Sequence, residues 1–179
     1  MAPNEPQIEV LFSSADIVKR NAELAEQIEQ DMGSDILVIA VLKGSFVFAA
    51  DLIRSLHHAG VRPQIDFMAL SSYGDKQISS GTVVITRDIV DTVKGRKVLL
   101  IDDILESGRT MQFAANDLMD RGAQMVKTCL MLDKKGKRIV DFEADFVGFD
   151  CPDLFVIGYG LDYAHYYREL PYIGHIVKE

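Results

Sequence analysis

The segment Val98–Thr110 concentrates side chains that can do chemistry. An apolar run ends in two adjacent carboxylates, Asp102 and Asp103, and a third carboxylate, Glu106, follows shortly after them. Carboxylates do not bind phosphate directly, but they suit vicinal hydroxyl groups, a Mg²⁺ ion, or both. The spacing therefore predicts a site for a polyhydroxylated ligand, a divalent cation, or the two together.

The same segment carries groups that bind anions. Ser107 and Thr110 supply hydroxyls, and Gly108 permits close approach of the backbone. A helix predicted to begin at Arg109 adds free N–H groups and its positive end. An ordinary helix cap is the simpler alternative, but capping needs one acid or hydroxyl rather than this whole set. A phosphate cradle beside hydroxyl-binding acids describes a ribose-5-phosphate site.

Composition bounds the class of protein that holds this site. A chain of 179 residues, 48% apolar and 26% charged, fits one domain that folds without disulfides or a structural metal. The net charge of −8 argues against broad binding to nucleic acid or to an anionic membrane. The longest apolar run, Ile36–Leu42, is far shorter than the ~20 residues that cross a bilayer. Cys129 and Cys151 lie in no metal-binding motif, which predicts free thiols in a reducing cytoplasm.

Buried strands alternate with amphipathic helices along the chain. Strand–helix–strand units over residues 35–70 and 97–132 predict an α/β fold with a mainly parallel central sheet flanked by helices. We expect a core over about 35–145 and a small hood built from about 1–12 and 146–179. In such sheets ligands bind beyond the carboxyl ends of the strands. The segments that follow buried strands are 43–45, 102–110, 133–138 and 158–168.

The local patterns place the individual elements. Strands are predicted at 7–12, 35–42, 64–70, 82–87, 97–102 and 125–132, with short strand-like runs at 146–149, 154–159 and 172–177. Helices are predicted from Ser13 or Ser14 to Gly33, over 46–59, and over 109–121. The polar, glycine-containing stretch 71–81 is predicted to be a functional loop.

The segment Asp102–Thr110 resembles the phosphoribosyl pyrophosphate signature of type I phosphoribosyltransferases. That signature is two acids, two apolar residues, an acid, Ser or Thr, Gly, any residue and Thr, after an apolar strand. Leu42–Ser45 resembles the pyrophosphate loop of the hypoxanthine branch of that family. Ser72–Gly74 with Ser79–Gly81 resembles its mobile loop, and residues 145–168 resemble its purine-binding part. The similarity runs in order from about residue 8 to the end.

The resemblance implies a purine salvage transferase. In the implied reaction, N9 of hypoxanthine, and also of guanine, attacks C1 of phosphoribosyl pyrophosphate, so that pyrophosphate leaves and IMP or GMP forms. The implied cofactor is Mg²⁺, and the implied assembly is a homodimer or homotetramer. It also implies a cis peptide between Leu42 and Lys43.

The resemblance assigns roles residue by residue. The ribose-phosphate contacts are Asp102, Asp103, Ser107, Gly108, Arg109 and Thr110. Pyrophosphate is assigned to Lys43, Gly44, Ser45 and Arg168, with Ser72 and Tyr73 of the mobile loop. The metal ligands are Asp162, Asp102 and Asp103. For the purine, Lys134 reaches the exocyclic oxygen at position 6, Phe155 stacks on the ring, and the backbone of Val156 reads the far edge. Glu106 accepts the proton from N7.

Two positions depart from the family pattern, and other functions stay open. Asp102 stands where Glu is commoner, and Glu106 stands where Asp is commoner. The extra methylene moves the Glu106 carboxylate by about one bond length, and a general base must lie within about 2.6–3.2 Å of its proton. The alternatives are a regulatory protein of this fold that binds nucleotide and nucleic acid, and a transferase for xanthine or a pyrimidine. No GxGxxG follows a predicted strand, which disfavours a dinucleotide-binding dehydrogenase.

Overall fold

The structure is a computed structural model that describes residues 7–73 and 82–177. Within them the chain forms two sheets, one of six strands and one of three. The strands are β1 (Ile8–Phe12), β2 (Leu37–Leu42), β3 (Gln64–Tyr73), β4 (Thr82–Arg87), β5 (Lys97–Leu105), β6 (Met125–Asp133), β7 (Phe146–Asp150), β8 (Val156–Ile157) and β9 (Ile173–Ile176). The helices are α1 (Ser14–Met32), α2 (Phe46–His58) and α3 (Arg109–Asp120), with a single 3-10 turn at Lys135–Lys137 among the described residues.

The larger sheet has the strand order β4-β3-β2-β5-β6-β7. Its strands are parallel except at one edge, where β4 pairs antiparallel with β3. The predicted α/β fold with a mainly parallel sheet is therefore confirmed. Since the parallel strands share a direction, their carboxyl ends lie together on one side of the molecule. The predicted site residues lie there, in the last residues of β5 and in the segments that follow β2, β5 and β6.

Apolar side chains cover both faces of this sheet, as a parallel sheet requires. In β2, Val38 and Ala40 face the core that includes residues of α1 and α2. The alternating residues Leu37 and Ile39 face the core that includes residues of α3. None of the helices in the described part of the chain is both long enough and apolar enough to cross a membrane.

The start of α1 shows how local sequence fixes an element. Ser13 is the N-cap, and its Oγ accepts a hydrogen bond from the Asp16 amide at 3.2 Å. In return, the Asp16 carboxylate accepts one from the Ser13 amide, also at 3.2 Å. This reciprocal capping box satisfies two N–H groups that the helix itself leaves free. At the other end, Gly33 has a φ of 76°, the left-handed backbone that ends helices.

The smaller sheet is antiparallel, with the order β1-β9-β8. It joins the first described strand to the last, through pairs such as Ile8 with Ile176. Its members come from the two parts of the chain predicted to form the hood. The division into a core and a hood stays a prediction.

Two element boundaries differ from the prediction in a way that affects the site. β5 continues to Leu105 instead of ending at Asp102, because β6 pairs with it as far as the pair Leu105–Asp133. β3 continues to Tyr73, because Ser72 and Tyr73 pair with Val83 and Thr82 of β4. Residues 71–73 of the predicted loop therefore belong to β3, and residues 74–81 lie outside the described residues.

Candidate active site

A cavity of about 230 Å³ opens where the parallel strands of the larger sheet end. Its lining comes from the ends of several elements, and it brings together most of the residues predicted for pyrophosphate, metal and purine. These are Gly44, Asp103, Glu106, Lys134, Phe155, Val156, Asp162 and Arg168, together with Ile104 and Leu161, to which the sequence analysis assigned no role.

A second cavity, of about 250 Å³, is lined by most of the predicted ribose-phosphate residues, though not by Asp103 or Arg109. Its lining is Asp102, Ile104, Leu105, Glu106, Ser107, Gly108, Thr110 and Met111. Ile104 and Glu106 line both cavities, so the two cavities are adjacent. Gly108 has a φ of 83°, and a Cβ there would press on the side chains of Val140, Arg138 and Phe142, so this turn requires glycine.

The acid pair lies between the two cavities. Asp102 lines the second and Asp103 the first, because the two follow one another on β5 and point to opposite faces. The Asp102 carboxylate accepts a hydrogen bond from the Asp103 amide at 2.9 Å. A Cβ at Gly44 would overlap the Asp103 carboxylate. The turn after β2 therefore packs directly on the acid pair.

Burial raises the pKa of both acids. The pKa of Asp102 lies well above its usual range, because burial, and then the charge of Asp103, disfavour its ionised form. Burial also raises the pKa of Asp103, and the guanidinium of Arg168 is among the groups that oppose that shift. A pair of carboxylates held in this way is stabilised by a ligand that brings positive charge or hydroxyl donors.

Glu106 and Lys134 form an ion pair across the cavity, with Oε1 and Nζ 2.7 Å apart. The Lys134 side chain is 7% exposed, whereas that of Glu106 is 49% exposed. Lys134 is held because it follows β6 directly and its amide donates to the carbonyl of Leu105 at 2.9 Å. An ammonium and a carboxylate therefore face the same space, one fixed and one accessible.

An ion pair that the sequence analysis did not predict, between Arg138 and Asp133, holds the turn that precedes α3. The Arg138 guanidinium donates to the Asp133 carboxylate at 2.5 Å and to the carbonyl of Glu106 at 2.6 Å. The carbonyl of Ser107 also accepts from the amides of Ile139 and Val140, at 3.0 and 3.2 Å. The sequence signal for this pair was present, since both residues flank the basic turn after β6, but nothing in the pattern separated Arg138 from the solvated lysines beside it.

The segment 158–168 carries the remaining charged groups. The Arg168 guanidinium contacts the Asp162 carboxylate at 2.6 Å and donates to the carbonyl of Gly160 at 2.5 Å. The other oxygen of Asp162 accepts from the amide of His165 at 2.8 Å. Asp162 and Arg168 are thus fixed by each other before any ligand binds.

An accessible aromatic ring borders the cavity. Phe155 is 61% exposed although it is a large apolar residue, and its ring meets that of Tyr163 edge-on, with centroids 5.6 Å apart. Val156, the next residue, is buried in β8. A ring exposed beside polar groups provides a stacking surface for a flat heterocycle.

Several predicted residues lie elsewhere. Lys43 follows the cis peptide that the resemblance implied, and its side chain is exposed. Ser45 is fully buried, and its hydroxyl donates to the carbonyl of Val41 at 2.5 Å, so its side chain is not available to a ligand. The amide of Arg109 donates to the Ser107 hydroxyl at 3.3 Å. Ser72 and Tyr73 lie in β3.

The described residues contain no group of three or more His, Cys, Asp or Glu side chains that could hold a metal ion by itself. Mg²⁺ characteristically binds through one or two carboxylates and completes its shell with water and substrate phosphates. The half-buried pair Asp102 and Asp103, whose pKa values are raised in the absence of a cation, fits that mode of binding. Asp162, by contrast, is engaged by Arg168.

Comparison with known proteins agrees with this site. A family model described as a phosphoribosyl transferase domain matches residues 8–164, so the chain belongs to that family. It is 44% identical to the hypoxanthine-guanine phosphoribosyltransferase of Aquifex aeolicus, with 92% of each chain covered. It is also 40% identical to the hypoxanthine phosphoribosyltransferase of Escherichia coli K12, over 95% of this chain and 96% of that protein.

Solved structures give the same result. The hypoxanthine phosphoribosyltransferase of Staphylococcus aureus superposes with a TM-score of 0.89 at 39% identity, covering 97% of this chain and 93% of that one. The hypoxanthine-guanine enzyme of Bacillus anthracis gives 0.87 at 42% identity, covering 97% and 100%. The predicted family and the predicted class of enzyme, a purine salvage transferase, are therefore confirmed.

Proposed function

We propose that this protein transfers the phosphoribosyl group of phosphoribosyl pyrophosphate to hypoxanthine and guanine, yielding IMP and GMP. One observation carries the proposal. Glu106 lines both cavities, so the turn with anion-binding hydroxyls and the cavity with Lys134 and Phe155 meet at a single carboxylate. A sugar phosphate in the second cavity and a flat base in the first would bring their reacting atoms together beside Glu106.

For the sugar phosphate, Ser107, Gly108, Arg109 and Thr110 supply the cradle. The N–H groups of the first turn of α3 beyond that of Arg109, and the hydroxyls of Ser107 and Thr110, suit the 5-phosphate. Asp102 and Asp103 accept hydrogen bonds from the ribose hydroxyls. Their ionised forms, which a bound cation favours, would also stabilise the positive charge that develops on the sugar as its bond to pyrophosphate breaks.

For the leaving group, Lys43, the amides of Gly44 and Ser45, and Arg168 supply positive charge and donors. Contact of Ser72 and Tyr73 with the same group stays a prediction. Mg²⁺ would be held by Asp102 and Asp103, with Asp162 available through water, and it would neutralise the negative charge of pyrophosphate. The protein's own part is to hold both ends of the sugar while the bond to C1 breaks.

For the base, Lys134 donates to the exocyclic oxygen of a 6-oxopurine, and Phe155 stacks on the ring. An ammonium has no acceptor for an amino group, so adenine is disfavoured. Glu106 takes the proton that the purine loses. Before a base binds, Lys134 Nζ donates to Glu106 Oε1 at 2.7 Å. When a base enters, both side chains exchange this contact for contacts with the base.

Replacing Lys134 by Met should remove the discrimination against adenine. The change preserves length and removes the ammonium, so a 6-oxo group loses its donor and a 6-amino group loses its repulsion. We expect kcat/KM for hypoxanthine to fall about a hundredfold, with a smaller change for adenine, measured as initial rates with each base.

Lys135→Met is the matched control, because the neighbouring Lys135 pairs with Asp150 at the surface. It should leave the ratio between the two bases unchanged. If Lys134→Met keeps the wild-type ratio, Lys134 does not read the 6-position.

Equilibrium binding of products tests the proposal without turnover. Titration calorimetry with IMP, GMP and AMP in the presence of Mg²⁺ should give saturable binding of the first two. AMP should bind at least about tenfold more weakly, because its amino group faces Lys134. Equal affinity for the three nucleotides would leave the cavity as a general nucleotide site and contradict the proposed specificity.

The wider setting of the activity is proposed from weaker observations. The small sheet β1-β9-β8 serves as the hood, since it contributes Val156 and leads into the segment of Asp162. Cys129 and Cys151 are free and buried, which suits a reducing cytoplasm. A homodimer or homotetramer is proposed from the family, and sedimentation of the purified chain would decide between them.

A further inference from the structure

Tyr159 lines neither cavity, yet its side chain is buried and its hydroxyl makes two hydrogen bonds. The hydroxyl accepts a hydrogen bond from Nδ2 of Asn21 at 2.8 Å. It donates one to Oδ2 of Asp51, also at 2.8 Å. Burial, and then this bond to Asp51, raise the pKa of Tyr159 far above the physiological range, so the hydroxyl keeps the proton that it donates.

These two bonds connect distant parts of the chain. Asn21 lies in α1, Asp51 lies in α2, and Tyr159 lies in the segment 158–168. α2 begins immediately after the turn Lys43–Ser45, the turn proposed to hold pyrophosphate. Through Asp51, Tyr159 therefore links the segment of Asp162 to the helix that this turn begins.

The backbone around Tyr159 needs such an anchor. Its φ is 51°, between Gly158 at 92° and Gly160 at 99°, and left-handed backbone is unfavourable for a residue with a Cβ. A Cβ at Gly160 would overlap the carbonyl oxygen of Gly44. The segment thus packs backbone to backbone against the turn after β2, in a conformation that side-chain bonds must hold.

Two charged groups of the site, Asp162 and Arg168, are held by contacts to the backbone next to Tyr159. Arg168 donates to the carbonyl of Gly160 at 2.5 Å and contacts Asp162 at 2.6 Å. The amide of Gly160 in turn donates to the carbonyl of Arg168 at 3.0 Å. A shift of the backbone next to Tyr159 would therefore move Asp162 and Arg168 relative to Gly44, while Lys134 and Phe155 stand on other elements.

We propose that Tyr159 is a positioning residue for the pyrophosphate half of the site. Its hydroxyl, bound between Asn21 and Asp51, fixes the position of the segment 158–168 relative to Gly44. Arg168 and the turn Lys43–Ser45 can then bind the same pyrophosphate. The inference rests on the proposed function, and it assigns Tyr159 no contact with substrate.

The test is Tyr159→Phe, which keeps the buried ring and removes only the hydroxyl. We expect KM for phosphoribosyl pyrophosphate to rise about tenfold, with KM for hypoxanthine within about twofold of wild type. Asp51→Ala should give the same selective rise, and the double variant should be no worse than Tyr159→Phe alone, because both remove one interaction.

Two variants serve as controls. Tyr166→Phe removes a hydroxyl from a ring that is 72% exposed in the same segment. Arg54→Ala removes the other partner of Asp51, with which it forms an ion pair at the surface. Both should keep the wild-type KM for each substrate. Equal rises in both KM values for Tyr159→Phe would reduce Tyr159 to a structural residue.

A readout independent of turnover separates this inference from the proposed function. Amide hydrogen exchange in segment 158–168 should be about tenfold faster in Tyr159→Phe, while the Tm stays within a few degrees of wild type. Unchanged exchange in a folded variant would overturn the positioning role. A wild-type protein that turns over no base would count against the proposed function, and the exchange result would still decide the role of Tyr159.

Discussion

Replacing Asp102 and Asp103 together by Asn should abolish binding of phosphoribosyl pyrophosphate without unfolding the protein. The change keeps the shape of both side chains and removes the charges that accept ribose hydroxyls and attract Mg²⁺. Two charge-assisted interactions are lost, so the affinity should fall at least about a hundredfold, and titration calorimetry with Mg²⁺ present should detect no binding.

The stability of the same variant should move the other way. Burial raises the pKa of both acids above the ordinary 3.8, so the folded wild type holds protons that the unfolded chain releases. The free energy of unfolding of the wild type therefore falls as the pH rises above 3.8. The variant has no carboxyl group at these two positions, so this part of the pH dependence should be absent from it. At pH 7 with a chelator, denaturant unfolding should show a variant at least as stable as wild type.

Unchanged affinity of this variant for phosphoribosyl pyrophosphate would contradict the assignment of Asp102 and Asp103 to the ribose.

Replacing Glu106 by Gln should lower kcat by about two to four powers of ten, with a much smaller effect on KM. The amide still accepts a hydrogen bond from Lys134, so the partner ammonium stays in place and the base still binds. What is lost is the group that takes the purine proton. Single-turnover measurement of nucleotide formation separates this chemical step from product release.

Glu143→Gln is the matched control, since Glu143 is an exposed carboxylate outside both cavities. It should leave kcat and KM unchanged. A Glu106→Gln protein with nearly wild-type kcat would show that the base is another group or water, and that Glu106 only holds Lys134.

The parts of the fold and site that could be predicted are those encoded locally. The continuous apolar run of β2 and the helical spacing of α1 identify buried strands and amphipathic helices from neighbouring residues alone. Asp102, Glu106, Ser107, Gly108 and Thr110 lie within one short segment, and they line one cavity, as the spacing predicts.

The parts that were missed depend on partners far apart in the chain. β5 extends past Asp102 only because β6 pairs with it, which no pattern within β5 reveals. No motif in the sequence singles out Tyr159, yet its hydroxyl accepts a hydrogen bond from Asn21, 138 residues away. Glu106 and Lys134 were assigned separate roles, and their mutual ion pair required the three-dimensional placement of two turns. Side-chain partnerships of this kind are set by packing, not by local pattern.

The most direct test of the central claim is pyrophosphate release from phosphoribosyl pyrophosphate by the purified chain. Hypoxanthine, guanine, xanthine, adenine, uracil and orotate are offered separately, each with Mg²⁺ and with a chelator. The account predicts turnover with hypoxanthine and guanine that the chelator abolishes, and little or none with adenine, uracil or orotate. Release with adenine or a pyrimidine as the preferred base, or no release with any base, would contradict it.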